Sequence, residues 1–205
     1  MDTTAAALAR AERTLAIAKL GLRQLKEGKP DHRMAGLWNL VVFGRAVTNV
    51  LQNLRSTEPV FDEWYAPWVA EMRDDPLLKY LYNLRSEILK EGSAKTSVNL
   101  QITRFTSSDA ARFGPSPPGA TGFIIGDALG GVGWQVPQAD GTTAMYYVGL
   151  PGDIGSITVH FAGAPKQHLG APLPDVSAER VAQLYVDYLQ RLLDKAVERF
   201  GSGRR

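Results

Sequence analysis

The chain has 205 residues, 44% of them hydrophobic, which suffices for one large domain or two small ones with a buried core. Its 23 Lys and Arg stand against 21 Asp and Glu, so the net charge of +2 gives no bulk electrostatic argument for nucleic acid, and the absence of cysteine excludes disulfides, thiolate metal sites and cysteine nucleophiles. The N-terminus carries an early aspartate and recurrent charges in place of a signal peptide's apolar core, and no window holds about 18 uninterrupted apolar residues, so a soluble cytoplasmic protein is expected.

Residues 3 to 27 place Leu8, Ala11, Leu15, Ala18, Leu22 and Leu25 at spacings of three and four, which predicts a long amphipathic helix stopped by Gly28 and Pro30. A second helix, from about Asp31 to Arg55, follows with Leu37, Leu40, Val41, Gly44, Val47, Leu51 and Leu54 on one face, antiparallel to the first. In the third, Phe61, Trp64 and Trp68 form an aromatic face, and Pro67 should kink or split it. Asp75 and Pro76 read as N-cap and first turn of a fourth helix, with Leu77, Leu81, Leu84 and Ile88 inward and Gly92 as its left-handed cap.

After residue 93 the period changes from helical to two. Val98, Leu100 and Ile102 alternate with Asn99, Gln101 and Thr103, and the runs TGFIIGD, GVGWQV, TAMYYVGL and GSITVHFA read as further strands with turn residues between them. Connections this short predict one antiparallel sheet of four or five strands. Ser177 then caps a long C-terminal helix with Val181, Leu184, Tyr185, Tyr188, Leu192 and Ala196 on one face, expected to contact both sheet and bundle. The expected class is α+β: a helical bundle over 1–92, an antiparallel sheet region over 93–172 and a returning helix over 173–205.

The segment LRSEILKEG at the end of the fourth helix resembles the RNA-cleaving motif of HEPN-domain proteins, with Arg85, Ser86 and Lys90 at the matching positions and Leu84, Ile88 and Gly92 flanking them. Lys90 stands where that family has histidine, and Ser86 where asparagine is usual. The resemblance covers roughly the first 92 residues and implies a bundle that dimerises and meets RNA across the dimer interface. Histidine is the side chain whose ordinary pKa allows proton exchange near neutrality, whereas lysine is a fixed cation unless burial lowers it by several units.

Apart from that motif, Arg85 can be read as the partner of Glu87 or Glu63, and Lys90 as the complement of a helix C-terminus. His32, His160 and His168 form no metal-ligand spacing, so neither a metal nor a cofactor is implied. His168 lies in a long connection beside Lys166, and Trp134 in a strand. Three readings follow. The first is a non-catalytic, dimeric, HEPN-like binding protein with RNA as a possible partner. The second is a metal-independent ribonuclease using Arg85, Lys90, Ser86 and Glu87. The third is a small-molecule sensor with a pocket between sheet and helices, His168 and Trp134 near its mouth.

Overall fold

The structure, a computed structural model, describes residues 3–27, 30–127 and 130–201. Helices α1 (Thr4–Glu27) and α2 (Pro30–Leu51) pack antiparallel, and Leu8, Ala11, Leu15, Ala18, Leu22 and Leu25 are all buried as the spacing predicts. The expected stop at Gly28 falls outside the described residues. Two glycines let the backbones of this pair nearly touch: a Cβ on Gly21 would lie 2.5 Å from the Gly36 carbonyl oxygen, and one on Gly36 would lie 2.6 Å from that of Gly21. Side chains larger than hydrogen at these positions would push the helices apart.

A 3₁₀ segment, Gln52–Ser56, continues α2 to the point where the sequence pattern ends. The segment from His32 to Ser56 is long and apolar enough on composition alone to cross a membrane, and in this fold α2 instead packs against α1, α4 and α5. Helix α3 (Phe61–Asp74) runs through Pro67 as one helix, so Pro67 does not split it. Both Pro67 and Glu63, whose carbonyl loses its helical donor, lie on the exposed side, where solvent can replace the missing bond. In α4 (Pro76–Glu91) the Leu78 N–H donates to Asp75 Oδ1 at 2.8 Å, and Gly92 closes the helix at φ 64°. Both caps are as expected.

All five expected strands form: β1 (Thr96–Ile102), β2 (Gly122–Ile125), β3 (Val132–Pro137), β4 (Thr143–Val148) and β5 (Gly155–Phe161). They pair antiparallel, but they divide between a β1–β5 ribbon and a β2–β3–β4 meander, where one sheet was expected. The turn between β2 and β3 explains the division. A Cβ on Gly126 would lie 2.5 Å from Leu100, and one on Gly130 would lie 2.5 Å from Val98 and 2.7 Å from Ile157. The turn is therefore pressed onto the face of the ribbon, which stacks the two sheets and leaves their edges unjoined.

A third, very short ribbon, β6 (Gln167–His168) with β7 (Ala171–Pro172), was not legible in the sequence. Helix α5 (Ala178–Phe200) is capped by Ser177, whose Oγ accepts from the Arg180 N–H at 3.3 Å. It packs on α1, α2 and β5, so the expected double contact is realised. One continuous core joins the helices to Val159 and Phe161 of β5 and to Leu173, whereas Phe113, Val132 and Ile154 form a small separate core under the meander.

Candidate functional site

A cavity of about 520 Å³ opens among the helices and takes side chains from five elements. Helix α2 supplies Arg45 and Thr48, and the 3₁₀ turn after it supplies Gln52 and Arg55. From α3 come Tyr65, Val69, Met72 and Arg73; from α4, Leu78, Lys79, Tyr82 and Asn83; and from α5, Tyr185. The lining thus holds four cationic side chains and no carboxylate.

Helix geometry puts these groups together. Arg45, Thr48 and Gln52 recur at spacings of three and four along α2 and into the 3₁₀ turn that continues it, as do Leu78 with Tyr82 and Lys79 with Asn83 on α4. Gly44 makes room for the floor: a Cβ there would lie 2.4 Å from Cε1 of Tyr185. The ring of Tyr185 can lie against the α2 backbone only because that residue has no side chain.

Two of the four cations already have carboxylate partners outside the cavity. Arg55 Nε bonds Asp62 at 2.6 Å, and Arg73 forms a two-point contact with Asp74 at 2.8 and 3.1 Å. Arg45 is held differently, donating to the Thr48 hydroxyl and lying over the Tyr82 ring with its guanidinium carbon 5.4 Å from the centroid. Among the described residues neither Arg45 nor Lys79 has a carboxylate partner. A guanidinium carries five N–H donors, so the contact with Thr48 leaves Arg45 with capacity for an anion.

The phenols at the floor are donors. Burial pushes the Tyr65 hydroxyl up, against the opposing influence of Arg45, a bond with Thr48 and Arg55. Burial likewise pushes Tyr185 up strongly, with Arg45 opposing. Both therefore stay protonated at neutral pH. Tyr82, at the rim, is 52% exposed, and Val69 beside it is 46% exposed.

The positions singled out from sequence lie elsewhere and do not converge. Arg85 is half-buried on α4, with its Nε enclosed and without a hydrogen-bond partner; neither Glu87 nor Glu63 pairs with it. Lys90 is exposed in the last turn, about 140° around the helix from Arg85. The Ser86 hydroxyl bonds back to the Tyr82 carbonyl at 3.3 Å, and Glu87 acts electrostatically on Tyr80, whose hydroxyl burial pushes up to about 12.

His168 has a clear structural partner. Its Nδ1 lies 3.1 Å from Asp75 Oδ1, while the Leu169 N–H donates to Asp75 Oδ2 at 2.6 Å. A single buried carboxylate therefore caps α4 and fastens the β6–β7 ribbon to it. Leu169, at φ 48°, is the one non-glycine with positive φ among the described residues, and this bond holds it there. Trp134 sits in the meander with its ring centroid 4.7 Å from that of Phe123 and its Nε1 enclosed without a partner. A smaller cavity of about 320 Å³ does separate sheet and helices, between Glu27, Arg33 and the backbone of Gly130, Gly131 and Gly155, but neither His168 nor Trp134 lines it.

Sequence reasoning missed the basic cavity because its residues are spread over five elements. One local signal was available: Arg45 interrupts the otherwise apolar run LVVFGRAV, directly after the glycine that admits Tyr185.

Residues 29–109 are similar to the family described as bacteriophage lambda protein ea47, a match over fewer than half of the 205 residues. The span contains every cavity residue except Tyr185. No curated protein and no solved structure matches the chain.

Proposed function

We propose that this is a non-catalytic binding protein whose helical cavity takes a phosphate-bearing ligand. The observation that supports this is the gathering of Arg45, Arg55, Arg73 and Lys79 around one cavity whose lining has no carboxylate, with Arg45 and Lys79 in no ion pair among the described residues. Like charges held around one space repel, and a bound anion converts that cost into attraction. The guanidinium fork suits phosphate oxygens two at a time, and the lysine supplies a mobile point charge at the rim.

Nothing in the lining exchanges a proton near neutral pH. It contains no histidine, and the hydroxyls of Tyr65 and Tyr185 are pushed upward. Binding without turnover is accordingly the reading we adopt. RNA enters it as one possible carrier of the phosphate.

A thermal-shift experiment with inorganic pyrophosphate against chloride at matched ionic strength tests the reading. Pyrophosphate at a hundredfold excess over its dissociation constant should raise Tm by roughly 5 °C or more, and less at higher salt. Arg45→Ala and Lys79→Ala should each remove most of the shift. Equal shifts in the wild type and in both variants would place the anion somewhere else and end the proposal.

A further inference from the structure

The cavity is not built for an inorganic anion alone. Between the cations its wall is apolar, made by Val69, Met72, Leu78 and the ring of Tyr82, and a bare phosphate would leave that wall wet. Arg45 lies against the ring of Tyr82, a residue still 52% exposed, and the ring borders the same space as Lys79. An open aromatic surface with a guanidinium already set on the ring offers stacking together with cation–π support to a planar group.

The floor adds a polar requirement. The Tyr185 side chain is almost fully buried and borders the cavity, while its hydroxyl bonds no other described residue and is not sealed from solvent. A ligand that displaces water from this hydroxyl forfeits a hydrogen bond unless it supplies another. A ligand reaching the floor should therefore present an acceptor there.

We infer that the ligand is a single nucleoside phosphate, with its base on Tyr82, its phosphate between Arg45 and Lys79, and an acceptor of the base or sugar at the Tyr185 hydroxyl. This rests on the anion-binding reading of the same cavity and narrows it to one chemical class. A cavity of about 520 Å³ suits one nucleotide unit, whereas a polynucleotide requires a groove that continues past the site.

The test is calorimetric titration of the full chain with inorganic phosphate, ribose 5-phosphate, the four nucleoside 5′-monophosphates and a single-stranded RNA octamer. At least one nucleoside monophosphate should bind roughly tenfold or more tighter than ribose 5-phosphate, the gain expected for one stacked base. Tyr82→Ala should abolish that gain, so that within this variant nucleotide and ribose 5-phosphate bind equally, and Tyr82→Phe should retain it. Tyr185→Phe, which keeps the ring packed against Gly44, should weaken the nucleotide roughly fivefold or more through the lost hydrogen bond.

If ribose 5-phosphate binds as tightly as every nucleotide, the nucleoside inference is overturned and the anion site stands. If the octamer binds and no monomer does, the single-unit inference is overturned. If nothing binds, both the inference and the reading beneath it are wrong.

Discussion

The helical body and the distal meander are stabilised in different ways. The first is one apolar core in which Leu37, Leu40, Leu51, Phe61, Leu81, Leu189 and Leu192 are fully enclosed, so hydrophobic burial carries it. The second encloses only Phe113, Val132 and Ile154 and relies on directed polar contacts around them. Arg112 grips both oxygens of Asp153 at 2.9 and 2.7 Å and reaches Asp109 at 3.2 Å, while Arg104 bonds Asp153 from another side. Asp109 in turn closes a capping box with Thr106 at the start of a 3₁₀ turn, Ser107–Phe113, which carries Phe113 into the small core. The comparison teaches that the cavity belongs to the part with the large shared core. A binding site drawn from five elements keeps its geometry only if those elements share one core.

The largest effects should separate the two regions. Leu189→Ala removes a fully enclosed side chain from the helical core and should cost about 2–5 kcal/mol of global stability, read from the denaturant midpoint. Ile154→Ala, equally enclosed, should instead expose the meander amides to hydrogen exchange and leave the helices protected. An equal fall in helix protection in the two variants would break the comparison, because both regions would then unfold as one.

Next in size is Gly21→Ala. Its Cβ would meet the Gly36 carbonyl and the Leu40 backbone nitrogen, at 2.5 and 2.7 Å, and backbone cannot step aside as a flexible side chain can. A loss of about 3 kcal/mol is expected from chemical denaturation. Asp75→Ala should cost about 2 kcal/mol, because it removes the α4 cap and leaves the Leu169 N–H without its acceptor. Nuclear magnetic resonance should show the shifts clustered at residues 75–79 and 167–172, the two places this carboxylate joins.

The smallest effect concerns acid. The Arg112 guanidinium holds the Asp153 carboxyl well below the ordinary carboxylate range, with Arg104 assisting. A pKa lower in the folded than in the unfolded chain gives stability that is present above about pH 4 and lost as pH falls toward the folded value. These groups are solvent-exposed, so the contribution is small. Meander amides should lose exchange protection before helix amides below about pH 4, and Asp153→Asn should weaken that protection at neutral pH and remove the acid step. Persistence of the step in the variant would assign it to another carboxylate.

Much of the fold was legible because its signals are local. Asp75 with Pro76, Gly92 and Ser177 each act on a single turn, and the apolar spacings of α1, α2, α4 and α5 are repeated often enough to outweigh any one residue. What escaped depends on contacts between distant segments. Each strand of the β6–β7 ribbon has two residues, too few for a period, and it exists because Asp75, more than 90 residues earlier, receives it. The separation of ribbon from meander turns on Gly126 and Gly130 meeting Leu100, Val98 and Ile157, which no reading of consecutive residues reveals.

The candidate site was less legible for the same reason. Arg55, Arg73 and Lys79 each look like one more cation on a solvated helix face, and Tyr65 and Tyr185 look like core aromatics. Only the packing of α2, α3, α4 and α5 turns them into one surface. The segment that drew attention in the sequence, Arg85 to Lys90, is a single turn and a half of helix whose two cations point in different directions.

The most direct test of the central claim is a crystal structure of the protein grown with a nucleoside 5′-monophosphate. The expected result is phosphate density between Arg45 and Lys79 with the base on Tyr82. A phosphate seated beside Arg85 or Lys90, with the cavity among α2, α3, α4 and α5 holding solvent only, would contradict the claim and return the site to the end of α4.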